Sequence, residues 1–72
     1  MIVQAQNKHL SDIIKIEKLS FNHPWSEMHF KNDFKKNDIS INWVMLENGT
    51  TIGYIFGWLV ENEYHLNNIA VH

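Results

Sequence analysis

From Asp38 to Val71 the chain is three apolar runs separated by two tight polar turns, and this spacing constrains the fold more than any other feature. In the first run, Asp38 to Leu46, Ile39, Ile41, Trp43 and Met45 lie on one side and Ser40 and Asn42 on the other. Period-two alternation of this kind marks a strand. Glu47-Asn48-Gly49-Thr50 follows, and Asn-Gly suits a two-residue hairpin because both central positions take positive φ. Thr51 to Val60 is the second strand, Glu61-Asn62-Glu63 the second turn, and Tyr64 to Val71 the third strand. Strands joined this tightly run antiparallel, so the segment is expected to form a meander.

The preceding residues supply what covers it. Met1 to Gln6 is short and β-leaning, with Ile2 and Val3, and Asn7 offers a side chain to cap the segment after it. Leu10 to Ser20 has helical period. Leu10, Ile13, Ile14, Ile16 and Leu19 fill one broad side, and Ser11, Asp12, Lys15 and Lys18 the other. Asn22-His23-Pro24-Trp25-Ser26 breaks the pattern, since Pro24 biases His23 away from helical backbone. Ser26 is a suitable N-cap for a second helix reaching about Asn37. Glu27 in its first turn and Lys35 and Lys36 in its last match the helix dipole, and Phe30 and Phe34 form its apolar stripe. The predicted order is β-α-α-β-β-β, an α+β fold with two helices packed on an antiparallel sheet. With no linker and no repeat, residues 1–72 read as one continuous unit.

Composition bounds the function. Six Lys, no Arg and eight acidic residues give a net charge of -2, which excludes a strongly basic nucleic-acid surface. There is no cysteine to staple the chain or act as nucleophile. The run Ile52 to Val60 is too short to span a bilayer as a helix, and the first ten residues hold no apolar signal core, so a cytoplasmic location is expected. None of the five His falls in a metal-binding pattern, and no metal site is expected. Asn48-Gly49-Thr50 matches a glycosylation acceptor but reads as a hairpin turn. A chain of 72 residues lies where one core rarely supplies more than about 3–5 kcal/mol, so a partner is expected.

Three features are more specific. In the last strand Tyr64 and Leu66 share one parity while Ile69 and Val71 share the other, with Asn67 and Asn68 at the change. Such a slip is what a β-bulge produces, although a strand buried on both faces also loses alternation. Glu17 falls among Leu10, Ile13, Ile14 and Phe21, where a carboxylate must find donors or raise its pKa. Backbone N–H groups of the helix–helix loop are the expected donors, with direct chemistry the alternative. Trp25, between the helices, suits either a binding wall or a plug for the end of the core.

Taken in order, Ile16-Glu17, Ser20-Phe21, Pro24-Trp25-Ser26 with Phe30, Asn48-Gly49, Ile52-Gly53-Tyr54 and Asn68-Ile69-Ala70-Val71 resemble the N-terminal half of the GNAT family of N-acetyltransferases. The most similar branch is the ribosomal-protein alanine N-acetyltransferases. The resemblance implies acetyl-CoA as co-substrate and a protein N-terminal α-amino group, or a small amine, as acceptor. It implies that the backbone of Ile69, Ala70 and Val71 binds the cofactor's pantetheine arm and polarises the thioester. It places Pro24, Trp25 and Ser26 in the acceptor wall and leaves Glu17 structural.

The family continues beyond this point with a pyrophosphate-binding loop, a general-base carboxylate and a Tyr acid, none of which occurs in the 72 residues. The chain is therefore expected to be the N-terminal part of a single acetyltransferase domain, truncated before that loop. No catalytic residue is expected within it, and alone it should not be competent. A final strand with an open edge suggests an alternative, a non-catalytic module that forms a homodimer by strand pairing.

Overall fold

The computed structural model describes residues 1–36 and 38–72. The elements are β1 (Ile2–Gln4), a 3₁₀ turn (Asn7–His9), α1 (Leu10–Ser20), α2 (Glu27–Lys35), β2 (Ser40–Glu47), β3 (Thr50–Val60) and β4 (Glu63–Val71). All strands pair antiparallel in the order β1-β2-β3-β4, so the meander is extended by β1 at one edge and ends on β4 at the other. The element order is the expected one. The expected second-helix end at Asn37 lies outside the described residues.

Both hairpins turn through positive φ, at Asn48 (52°) with Gly49 (80°) and at Glu61 (52°) with Asn62 (67°). Two consecutive positive values match the twist of paired strands. The entry to α1 differs from expectation. The Asn7 side chain does not cap it; Asn7 opens the 3₁₀ turn, and the Gln6 N–H donates to His9 Nδ1 at 3.0 Å. At α2 the Ser26 hydroxyl accepts from the His29 N–H at 3.1 Å, as an N-cap should.

One face of the sheet carries both helices. Leu10, Ile13 and Ile16 of α1 and Phe30 of α2 pack on Val44, Tyr54, Phe56 and Ala70, with Ala5 closing the end. The Phe30 and Phe34 rings sit 5.1 and 5.6 Å from that of Phe56, in tilted contacts that suit ring quadrupoles. Leu19, expected on the apolar side of α1, is instead 75% exposed. It lies about 200° around the helix from Glu17, and the buried stripe is centred on Ile13 and Glu17.

Among the described residues the opposite sheet face carries no helix. Paired residues share a face, so Ile2, Trp43, Met45, Leu59, Tyr64, Leu66, Ile69 and Val71 stand together on it, each exposed. The apolar side of β2 read from the alternation is thus the uncovered one. Its helix-facing side contains Asn42, buried, with Nδ2 donating to Ser40 Oγ at 2.7 Å and Oδ1 accepting from the Gly57 N–H at 3.3 Å.

Tyr64 reaches over Gly57 and donates its hydroxyl to the Ile41 carbonyl at 2.9 Å. A Cβ at Gly57 would overlap the Tyr64 ring and lie 2.7 Å from the His65 carbonyl oxygen. Gly57→Ala is therefore expected to cost about 1–3 kcal/mol through overpacking. The midpoint of urea unfolding checks this, and an unchanged midpoint would mean that Tyr64 does not cover Gly57.

Candidate functional site: the β4 bulge and the α1–α2 loop

The phase change in the last strand is a bulge. Phe56 pairs with Asn68 and Gly57 with Leu66, which leaves Asn67 as the extra residue. The bulge keeps Leu66 and Ile69 on the same face although their spacing is odd. Among the described residues β4 has no neighbour strand on its outer side. The His72 N–H donates back to Ile52 on β3 at 2.7 Å. Antiparallel alternation then directs the N–H and C=O groups of Ala70 to β3 and those of Ile69 and Val71 to the open edge. The Ala70 side chain is in the core, and those of Ile69 and Val71 are exposed. A second irregularity, not visible in the sequence pattern, lies on β3, where Ile52 is skipped between the Met45–Gly53 and Leu46–Thr51 pairs.

The α1–α2 loop approaches from the helix side. Pro24 and Ser26 are exposed and Trp25 is half-buried. The packing of Trp25 matches the expected plug. Its ring sits 5.1 Å from Phe30 and 6.3 Å from Phe56, closing the end of the core. It also stacks flat on His29, with centroids 3.7 Å apart and planes 5° apart. The exposed His29 thus extends the aromatic wall outward.

Glu17 joins the two parts. It is 2% exposed, and its Oε2 accepts from the Trp25 backbone N–H at 2.8 Å, the kind of loop donor expected. Oε1 accepts from the Tyr54 hydroxyl and from Asn68 Nδ2, the latter at 2.8 Å. Burial, then the hydrogen bond to Glu17 and its charge, push the Tyr54 hydroxyl far above the usual phenol range. Tyr54 therefore stays a proton donor to the carboxylate at any physiological pH. Sequence reasoning missed Tyr54 and Asn68 as partners. The only signal was that Asn68 lies at the parity change.

The site thus joins an aromatic wall and a strand edge whose free amides match an extended, amide-bearing ligand. Among the described residues no group of three or more His, Asp or Glu is placed to hold a metal ion.

Comparison with protein-family profiles gives no match, and neither does comparison with curated protein sequences. Among solved structures, the chain is similar to the crystal structure of the ribosomal-protein-S18-alanine N-acetyltransferase from Escherichia coli. The TM-score is 0.87 at 27% identity, over 99% of this chain and 44% of that one. The chain spans less than half the length of the structure it matches.

Proposed function

We propose that this chain, whose α+β fold is that of half a GNAT-family N-acetyltransferase domain, serves acetyl transfer from acetyl-CoA to an α-amino group at a protein N-terminus. The carrying observation is the match, along nearly its whole length, to an enzyme of that activity. In this reading the pantetheine arm lies along β4 as an added strand, paired with the outward groups of Ile69 and Val71. An N–H there polarises the thioester carbonyl as negative charge develops on its oxygen. Ala70 sets the spacing by anchoring β4 to the core. Pro24, Trp25 and Ser26 wall the acceptor. An α-amino group, with a pKa of about 7.7–8.0, is about a quarter to two-fifths neutral near pH 7.5 and asks less of a general base than a lysine does. The bonds exchanged are the thioester C–S bond for an amide C–N bond, with the amine proton going ultimately to the thiolate. No side chain near β4 is assigned to that proton transfer. The chain by itself is accordingly proposed to bind acetyl-CoA weakly and not to catalyse.

An acetyl-CoA titration followed at backbone amides tests this. Progressive shifts at Ile69, Ala70 and Val71, without saturation in the micromolar range, are expected. Shifts absent from β4 at millimolar acetyl-CoA would sink the reading, and tight saturable binding would sink the claim of weakness. A second reading, a strand-pairing homodimer, is favoured by one observation, the open β4 edge beside an uncovered apolar face.

A further inference from the structure

Glu17 accepts from three donors, and they come from distant parts of the chain. Among the described residues no Lys or His pairs with it, so neutral donors alone hold it. Those donors sit 8, 37 and 51 residues away, on the α1–α2 loop, on β3 and at the β4 bulge. Oε1 accepts from two of them, and Oε2 from the Trp25 N–H alone. A carboxylate is rigid and planar, so a shift of Asn68 that re-aims Oε1 also moves Oε2 against Trp25.

We infer that Glu17 is a positioning residue that couples the acceptor wall to the acyl-carrying strand, so that displacement at either is transmitted to the other through one carboxylate. The functional meaning of this coupling rests on the reading of Pro24–Ser26 and Ile69–Val71 given above. The coupling is reciprocal by thermodynamic necessity. A ligand that draws the bulge toward itself alters the loop, and an acceptor that presses on Trp25 alters the bulge.

Hydrogen exchange and amide chemical shifts of the ligand-free chain test it. Asn68→Ala touches neither Trp25 nor its loop. It is nevertheless expected to speed exchange of the Trp25 amide several-fold and to shift the Trp25 and Ser26 resonances. Glu17→Gln, with one acceptor in place of two, should speed Trp25 exchange about tenfold and move the amides of Ile69 and Val71 as well. Ile13→Val, which loosens the same core but removes none of the carboxylate's hydrogen-bond donors, separates positioning from general loss of stability. It should leave Trp25 exchange unchanged relative to the β2–β3 amides. A Trp25 amide unmoved in Asn68→Ala overturns the inference, as does an equal effect in Ile13→Val. If Glu17→Gln does not fold, Asn68→Ala and Ile13→Val still decide the matter. Because no ligand enters, failure of acetyl-CoA to reach β4 would remove the functional reading and leave the coupling measurable.

Discussion

Glu17→Ala should leave the chain largely unfolded at 25 °C in dilute buffer. Truncation removes the acceptor of the Trp25 N–H, the Tyr54 hydroxyl and Asn68 Nδ2 together. A buried donor left without a partner costs about 1–3 kcal/mol, and bonds to a charged acceptor lie at the upper end. Water entering the space left by the side chain would recover part of this. Even at the low end, three losses consume most of the roughly 3–5 kcal/mol that one small core supplies. Glu17→Gln is expected to be milder, since the amide oxygen keeps one or two of the donors. Far-UV circular dichroism and urea titration of both variants check the order. If Glu17→Ala unfolds at the wild-type midpoint, the carboxylate does not hold the structure in the way its geometry indicates.

The sequence showed that Glu17 is buried and that a loop N–H would meet it, because helical period and an adjacent helix–helix loop are local facts. It did not show Tyr54 or Asn68, which reach the carboxylate only through sheet register. Register depends on bulges, and of the two among the described residues only one left a trace in the sequence. The β4 bulge shifts a visible parity between Leu66 and Ile69, whereas the one at Ile52 falls in a strand too uniformly apolar for parity to register. Alternation identified β2 as a strand, but its apolar side, with Ile41, Trp43 and Met45, is the uncovered one, and the helices meet the side that carries Ser40 and Asn42 with Val44 and Leu46. Asn42 faces the helices because Ser40 and the Gly57 N–H satisfy its side chain, a pairing made across strands. Leu19 shows the converse, an apolar residue placed outside by the polar Glu17 that defines the buried stripe.

At tens of micromolar the wild-type chain is expected to run as a dimer of about twice its 8.6 kDa by light scattering on a size-exclusion column, and Ile69→Lys should return it to monomer. The uncovered face gathers exposed Trp43, Met45, Leu66, Ile69 and Val71 without a charge among them. Contiguous apolar surface of this kind on a small protein marks an interaction site. The edge beside it contains neither Pro nor Lys, two residues that discourage pairing, and the bulge at Asn67 interrupts it only partway along. A second copy is the occupant argued for because an antiparallel β4–β4 pair is self-complementary about a two-fold axis. It would also place the two apolar faces side by side as one surface. The bulge at Asn67 confines such pairing to one side of it, and Ile69 and Val71 direct their free backbone groups there. A lysine at position 69 leaves those groups in place but puts a charge on the apolar face and against its symmetry mate, which costs association at both points. A concentration-independent monomer of wild type would refute self-pairing and leave the face to a polypeptide of different sequence. A dimer that survives Ile69→Lys would place the contact elsewhere on the chain. If strand pairing does hold the dimer, the β4 edge is occupied, and acetyl-CoA should then compete with dimerisation for the backbone of Ile69 and Val71.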